Sequence, residues 1–387
     1  MKAESRTFGP PSTYLLSMRP FKTSSLHSIL LAAILAVLSS PTMAEPTAGA
    51  KISTSTDLTE EIFMRGMVVS CPRAGQIWGS PSMVDALGQL DELGVGWIAI
   101  HPYARVRPDG SVSGHPAAEV GYLEKAVEIA RAAGMQIFWK PHLAYWGSFK
   151  WRGDIEFGAN EAAWQRFFDD YQHFIVDQAR FAQQSGVEIF AVGVEYEKTT
   201  HRETEWRRII AAVREVYDGR VTYAANWDSL DRVPFWDALD WIGVHAYFPL
   251  SLDDDPSRET LWQGWDEPLR QLASISSAHR NKPVFFAEIG YSRSNAAARE
   301  PWSPRMETSP EALRLRERLI EVALQRVEEQ PFVRGMFWWK WIPGPDPWDR
   351  DFSMKDPEAR RALRSFWGGD GAIAPSADPA VATGSNE

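Results

Sequence analysis

Residues 283–292 read PVFFAEIGYS, an apolar run that contains a single carboxylate, Glu288, near its end. The run has the length and composition of a buried strand of a parallel β-sheet. A glutamate that ends such a strand needs partners that stabilise its charge, or else its charge has a function. The end of this strand is therefore the first candidate for a functional site.

Seven further segments have the same character. Each predicted strand has 8 to 10 residues, is rich in Val, Ile, Phe, Trp or Tyr, and is bounded by Gly, Pro or polar residues. In chain order the eight predicted strands are residues 63–70, 96–103, 136–143, 188–197, 221–228, 240–248, 283–291 and 335–342. Amphipathic helical patterns lie between most of them, and only the link from the fifth to the sixth strand is too short for a long helix.

Eight strands that alternate with helices over roughly 300 residues predict a single (β/α)8 TIM barrel in the α/β class. The alternative is a doubly wound open sheet, which is expected to have a glycine-rich phosphate-binding turn after its first strand. Residues 68–80, VVSCPRAGQIWGS, do not match G-x-G-x-x-G, and no P-loop pattern occurs anywhere in the chain. These observations favour the barrel.

Polar and aromatic residues cluster where the predicted strands end, which is where TIM barrels have their active sites. Glu195 is near the end of the fourth strand and Glu288 near the end of the seventh, whereas the strand starts are apolar or small. The candidate substrate-binding residues at or just beyond the strand ends are His101, Lys140, His142, Trp146, Asn226, Trp227, Asp228, His245, Tyr247, Trp338 and Trp339.

The alternation of side chains along a strand predicts which of these residues face the barrel interior. In the fourth strand, Gly193 and Glu195 share a face, and small residues suit the interior of a barrel. In the seventh strand, Phe286 and Glu288 share a face, and the same count turns His245 inward in the sixth strand. Both glutamates are therefore expected to face one mouth.

Two carboxylates at one mouth are typical of glycoside hydrolysis. That reaction needs one protonated carboxyl that donates to the leaving oxygen, and one carboxylate that attacks the anomeric carbon or activates water. In a retaining enzyme the two carboxyl groups are about 5–5.5 Å apart. The alternative is that each glutamate forms a structural ion pair with a Lys, Arg or His of the barrel. The 18 tryptophans favour sugar binding, because indole rings often line sugar-binding clefts.

Two short motifs resemble a known superfamily. GVEY (193–196) and FAEIGY (286–291) are similar to the ends of strands four and seven in clan A glycoside hydrolases. Residues 193–250 and 282–302 more specifically resemble glycoside hydrolase family 113, which is known for β-mannanases, and a related barrel domain of gene transfer agents. The resemblance spans most of the predicted barrel.

The resemblance implies roles for individual residues. Glu195 would be the acid/base, Glu288 the nucleophile, and Tyr247 would lie near the nucleophile. Either Trp338 or Trp339 would form the floor of the subsite at the cleaved bond. The residues that would border the same subsite are Asn226, Trp227 and Asp228. As an acid, Glu195 would need a raised pKa, from apolar surroundings and from the charge on Glu288.

The sequence departs from the clan pattern at Val194. Most of the clan has Asn at this step, where its amide contacts the sugar 2-hydroxyl, so the resemblance leaves the identity of the sugar open. Mannan is the leading expectation among β-linked hexose polymers. Glu197 has the same parity as Glu195, and we interpret it as a residue at or behind a subsite.

Other classes of function are less compatible with the sequence. A metal-dependent amidohydrolase barrel would have a His-x-His pair in the first strand, and residues 63–70 contain no histidine. We therefore predict no metal and no other cofactor, and we assign His101, His142 and His245 to sugar contacts or hydrogen-bonded core positions. A carbohydrate-binding barrel without hydrolysis remains the alternative function, although it would not need a glutamate pair.

Composition restricts partners and compartment. The formal net charge is −10 and no basic cluster is present, so nucleic acid is not an expected partner. The single cysteine, Cys71, excludes an internal disulfide and a cysteine-based zinc site.

The N-terminus resembles an export signal. Basic residues precede an apolar run at 29–38, and small residues after it fit cleavage following Ala44, with Met18 as an alternative start. The run is too short for a comfortable membrane span, so we predict a secreted or periplasmic protein without a stable anchor. The predicted organisation is a signal region (1–44), a catalytic barrel domain (45–367) and a disordered tail (368–387).

Overall fold

The computed structural model describes residues 63–72, 74–345 and 351–368 of the chain. The predicted signal region (1–44) and the predicted tail beyond Gly368 lie outside the described residues. Within the described part of the chain, no helix is both long enough and apolar enough to cross a membrane.

Eight parallel strands form a closed barrel, which confirms the predicted TIM barrel. Each strand pairs with its neighbours in chain order, and the last strand pairs with the first. Every barrel strand overlaps one predicted strand. The strands are β1 (Met64–Val69), β2 (Trp97–Ile100), β3 (Gln136–Trp139), β4 (Ile189–Val194), β5 (Arg220–Asn226), β6 (Trp241–His245), β7 (Val284–Ile289) and β8 (Val333–Trp341).

Helices connect most of these strands. They are α1 (Pro81–Asp91), α2 (Gly121–Ala132), α3 (Glu161–Gln184), α4 (Glu203–Arg214), α5 (Arg258–Gly264), α6 (Asp266–Ala278), α7 (Pro310–Glu328) and α8 (Pro357–Trp367). The link from β5 to β6 contains only two short 3-10 turns, as its length predicts. Helix α7 begins as expected from Ser309–Pro310, because the Ser309 hydroxyl accepts a hydrogen bond of 3.2 Å from the Ala312 amide.

Aromatic rings fill the barrel interior below the mouth. Phe138 of β3 contacts Phe285 of β7 and Phe337 of β8, with ring centroids 5.3 Å apart in both pairs. Since β3 is not a neighbour of β7 or β8, these contacts cross the interior. A Cβ atom at Gly66 would lie 2.5 Å from the Phe337 ring, so β1 needs a glycine there. The packed rings form an apolar layer beneath the polar strand ends.

The simple alternation predicted for β7 is wrong. Phe285 faces the interior, whereas Phe286 stacks on Trp265 in the helical layer, with ring centroids 5.8 Å apart. The register of β7 against β6 then shifts, because Phe286 pairs with Val244 but Glu288 pairs with His245. This irregularity turns Glu288 toward the mouth. The predicted direction of Glu288 is right, and the parity argument for it is not.

Strand β4 has a similar irregularity. A Cβ atom at Gly193 would lie 2.8 Å from both Trp206 of α4 and Tyr223, so Gly193 faces outward, contrary to the prediction. The register shifts between Ala191 and Val194, where three steps along β4 match two along β5. Glu195 follows with a φ of 55°, a rare conformation for a residue other than glycine. The shift and this φ together direct Glu195 to the mouth.

A small second sheet adjoins the barrel after β2 and β3. It consists of Tyr103–Val106, Val112–Ser113 and His142–Ala144, and we call it the rim sheet. The predicted second and third strands were therefore too long, because the chain leaves the barrel at Ile100 and Trp139 and re-pairs outside it.

Candidate active site

Glu288 is held by two partners that follow barrel strands, Lys140 after β3 and Tyr247 after β6. One carboxylate oxygen forms an ion pair with the ammonium of Lys140, and the other accepts a hydrogen bond of 3.1 Å from the Tyr247 hydroxyl. Lys140 is fully buried and also donates to the carbonyl of Ala287 at 3.1 Å. Burial lowers the pKa of Lys140, although the Glu288 charge opposes this effect. The carboxylate that interrupts the apolar run is thus paired within the barrel mouth.

Glu195 has different partners. One carboxylate oxygen lies 2.8 Å from Nδ1 of His245, and the other lies 3.6 Å from Nε of Arg152. The side chain is 12% exposed, so the carboxylate is accessible at one edge only. Its partners come from a barrel strand and from a loop.

His245 lies between the two glutamates. Its Nδ1 faces Glu195, while its Nε2 is 3.5 Å from the nearer oxygen of Glu288 and 3.4 Å from the Lys140 ammonium. The imidazole is fully buried at the end of β6. The structure therefore brings both predicted glutamates to opposite edges of one ring.

The charges around Glu195 determine its protonation. Burial raises the pKa of this carboxyl, but His245, Arg152 and Lys140 outweigh burial and lower the pKa to about 2. The prediction of a raised pKa is wrong for this arrangement, because it counted the Glu288 charge and not the basic side chains around Glu195. Glu195 is ionised at neutral pH.

Arg152 is a functional candidate that the sequence did not identify. It begins a 3-10 turn in the loop after the rim-sheet strand His142–Ala144. Its Nη1 lies 2.9 Å from Nδ1 of His142, and the Tyr145 ring is 5.7 Å from its guanidinium carbon. Burial opposes its charge, but the Glu195 carboxylate raises the pKa of Arg152. In the sequence, Arg152 is marked only by its position in residues 143–160, a segment rich in aromatic residues that follows the third predicted strand.

His101 and His142 form a stacked pair beside these groups. Their ring centroids are 4.9 Å apart, and both side chains are fully buried. Burial lowers the pKa of both imidazoles, with further lowering by Lys140 and Arg152, so both are neutral. Because a guanidinium only donates, Nδ1 of His142 is an acceptor and its proton is on Nε2. Among the described residues, no group of three or more His, Cys, Asp or Glu is arranged to hold a metal ion.

The two candidate tryptophans of β8 have separate environments. Trp339 is half-buried, 5.8 Å from the His101 ring and 6.0 Å from the Lys140 ammonium, so it lines the mouth. Trp338 is fully buried and contacts Tyr291. The structure therefore places Trp339 at the site and Trp338 in the packing behind it.

Exposed aromatic rings extend the mouth in two directions. Trp146 is 52% exposed and contacts Tyr103 and Tyr145 on the side of β2 and β3. Trp227, which follows β5, stacks at 5.6 Å on Trp302, which is 47% exposed in the loop after β7. Trp302 was not among the predicted residues. Its exposed ring, stacked on Trp227, offers an aromatic surface on which a sugar ring could pack.

The remaining predicted residues, Asn226, Asp228 and Glu197, have other polar partners. Asn226 pairs in register with His245 and donates a hydrogen bond of 2.7 Å to Asp228, which is exposed. Glu197 forms an ion pair with Arg232 and belongs to a 3-10 turn after β4. These contacts are compatible with a border position for Asn226 and Asp228.

Comparison with known proteins identifies the family of the chain. The model of Glycoside Hydrolase Family 113 matches residues 71–348. No curated protein sequence matches the chain significantly. Among solved structures, a family 113 β-mannanase from Alicyclobacillus acidocaldarius in complex with ManMIm is 26% identical, with a TM-score of 0.66 over 79% of this chain and 98% of that one.

A second solved family 113 enzyme, a β-1,4-mannanase, is 22% identical with a TM-score of 0.70, and the similarity covers 79% of this chain and 99% of that one. At this identity the likeness concerns the fold. The family match, in contrast, covers well over half of the sequence and includes the strand ends that carry both glutamates. The chain therefore belongs to glycoside hydrolase family 113 and is a glycosidase.

Proposed function

We propose that this glycosidase is a retaining enzyme that cleaves β-linked hexose chains, with β-mannan as its substrate. The observation that carries the proposal is the pair Glu195 and Glu288 on opposite edges of the buried His245 ring. The mannanase activity of the structurally similar family members supports the choice of sugar. Glu288 is the nucleophile and Glu195 is the acid/base.

In the first step, an oxygen of Glu288 forms a bond to the anomeric carbon as the glycosidic bond breaks. The Glu195 carboxyl gives its proton to the leaving oxygen. Lys140 and Tyr247 orient the carboxylate of Glu288, because both donate to it before the substrate reacts. In the second step, Glu195 takes a proton from water, the water oxygen attacks the anomeric carbon, and Glu288 leaves as a carboxylate.

The low pKa of Glu195 sets a requirement for the first step. The carboxyl has to be protonated when the glycosidic bond breaks, so substrate binding has to favour its neutral form. A sugar that covers the mouth excludes water, which strengthens the effect of burial on this carboxyl. Arg152 is in a loop at 3.6 Å, beyond hydrogen-bonding distance, and a small displacement would weaken its hold on the charge.

The aromatic rings favour cleavage within a chain over removal of terminal units. Trp339 would lie under the sugar that reacts, and the exposed rings of Trp146 and Trp302 lie in loops that follow different barrel strands. Sugars on both sides of the cleaved bond would then have an apolar face to stack on. Val194 offers no amide for the 2-hydroxyl, so recognition of that group falls to other side chains.

We also propose that the protein is exported. The pattern in residues 1–44 supports this, and a polymeric substrate would be met outside the cytoplasm. The N-terminal residue of the mature protein, determined from cell fractions, tests this. Cleavage after Ala44 is the expected result, and an intact N-terminus in the cytoplasmic fraction would contradict it.

Release of reducing sugar by residues 45–387 tests the activity on β-mannan, glucomannan, β-glucan and xylan. We expect activity on mannan that Glu195→Gln and Glu288→Gln both abolish, with the first product released as the β-anomer. Activity on another polymer would support the proposed mechanism but contradict mannan as the substrate. Binding to a glycan with no turnover on any of them would favour the carbohydrate-binding alternative.

A further inference from the structure

A groove of about 300 Å³ lies on the rim sheet, outside the barrel mouth. Its floor consists of small residues, among them Ser113 and Gly114, and its polar lining includes Arg105 and His115. A Cβ atom at Gly114 would lie 3.1 Å from the Cβ of Ala104, so the floor has little room for a larger residue at this position. The cavity is large enough for a single pyranose ring.

The groove has the surface that a sugar ring needs. Tyr103 lines the groove with a half-buried aromatic ring, whose exposed part can contact the apolar face of a pyranose. Arg105 and His115 are exposed and offer hydrogen-bonding groups to hydroxyls at the ring periphery. A flat ring can approach the small floor closely, while its hydroxyls meet the polar lining.

Side-chain contacts connect the groove to the glutamate site. The Tyr103 ring is 5.4 Å from His101 and 5.5 Å from His142, and His142 in turn contacts Arg152 beside Glu195. Arg105 donates a hydrogen bond of 2.9 Å to the carbonyl of Trp146. The groove therefore borders the exposed aromatic cluster at one end of the mouth.

We propose that this groove is a distal subsite that binds one further neutral hexose unit of the same glycan that is cleaved between Glu195 and Glu288. The inference rests on the proposed function, and it adds a preference for long chains. A chain that crosses the mouth on the side of β2 and β3 passes Trp146 and Tyr103 and reaches the groove. Short oligosaccharides that fill only the mouth gain nothing from it.

The test is the dependence of kcat/KM on chain length, measured with the full chain on β-1,4-manno-oligosaccharides of increasing length. Ser113→Trp fills the groove, and His115→Ala removes one polar group. We expect Ser113→Trp to lower kcat/KM about tenfold on the longest oligosaccharides, equivalent to the loss of one good contact. The shortest cleaved oligosaccharide should be unaffected, which also shows that the variant is folded.

His115→Ala should have the same length dependence with a smaller loss, of about threefold on the longest oligosaccharides. His279→Ala is the control, because His279 follows α6, which leads into β7, whereas the groove lies on the sheet that follows β2 and β3. A loss that is equal at all lengths, or no loss in Ser113→Trp, would overturn the proposal.

The subsite can also be tested if the protein proves not to be a mannanase. If the wild-type protein cleaves no mannan, affinity electrophoresis in gels that contain mannan, glucomannan, β-glucan or xylan replaces the kinetic measurement. Weaker retardation of Ser113→Trp than of the wild type in one of these gels supports the subsite with another sugar. Equal retardation of the two proteins in every gel contradicts it.

Discussion

The two glutamates of the mouth are supported in different ways. Glu288 contacts Lys140 and Tyr247, which end or directly follow barrel strands, and the lysine is fully buried. Glu195 has a left-handed φ, and one of its partners, Arg152, belongs to a loop. A nucleophile needs a fixed direction of attack, whereas an acid/base has to change its proton affinity during the reaction. The difference in support matches the roles that we propose, with Glu288 as nucleophile and Glu195 as acid/base.

The largest expected effect distinguishes the two roles directly. Replacement of either glutamate by alanine should lower turnover at least about 10²- to 10⁴-fold, because a reacting group is lost. With an activated substrate and added azide, Glu195→Ala should form a β-glycosyl azide, since Glu288 still forms the covalent intermediate. Glu288→Ala should give the α-azide, because azide then attacks in place of the missing carboxylate.

The configuration of the azide product, determined by NMR, is the measurement. The same anomer from both variants would contradict the assigned roles. A Glu197→Ala variant is the matched control, because Glu197 is a neighbouring glutamate that pairs with Arg232. It should retain turnover and form no azide adduct.

Removal of Lys140 tests the rigid support of Glu288. Lys140→Met leaves a buried carboxylate without its cation, and we expect a loss of about 3–5 kcal/mol in the free energy of unfolding. Turnover should fall as well, since Glu288 loses its orientation. Chemical denaturation and kcat measure the two effects.

The double variant Lys140→Met with Glu288→Gln separates charge from packing. It removes both members of the ion pair, so it should recover much of the stability that the single lysine variant loses. If the double variant is as unstable as Lys140→Met, the lysine stabilises the protein through packing alone. That result would contradict the claim that the Lys140 charge supports Glu288.

Arg152 tests the adjustable support of Glu195. Arg152→Ala removes a cation that lowers the pKa of Glu195, so that pKa should rise. If protonated Glu195 is the acid, the basic limb of the pH profile of kcat/KM should move to higher pH. A variant that adds a positive charge beside Glu195 should instead move this limb to lower pH.

The same variant has a defined effect on stability. A carboxyl whose pKa falls from 4.5 to about 2 on folding stabilises the fold above pH 4.5, and this contribution is lost as the pH falls toward 2. Arg152→Ala should therefore lose less stability between these pH values than the wild type does. Arg208→Ala, which removes an exposed pair with Asp169, is the control and should shift neither profile.

The sequence predicted the barrel well because strand spacing and strand-end polarity are local patterns. It also predicted that Glu195 and Glu288 reach one mouth, but by a parity argument that is wrong in both strands. The register shifts at Ala191–Val194 and Phe286–Glu288 depend on pairing with neighbouring strands, and a single strand's pattern does not contain that information.

The rest of the site was not accessible for related reasons. Arg152 is in a loop, where no periodicity indicates direction, and its importance arises from contacts with His142 and Glu195. The predicted shift of the Glu195 pKa had the wrong sign because basic side chains from three different segments surround this carboxyl. Two predicted strands were too long, because Pro102 and Pro141 lie where the chain leaves the barrel for the rim sheet and the prediction did not use them as strand ends.

The smallest expected effect concerns two tryptophans, one in a strand and one in a loop. Trp339 belongs to β8 and contacts His101, whereas Trp302 lies in a loop and stacks only on Trp227 among the described rings. Trp302→Ala should raise the KM for mannan about three- to tenfold, the value of one stacking contact, and leave kcat and stability unchanged. Trp339→Ala should lower kcat, because in the proposed mechanism Trp339 lies under the sugar that reacts. Steady-state kinetics of both variants measure these effects. An equal loss of kcat in Trp302→Ala and Trp339→Ala would show that Trp302 also takes part in the chemical step.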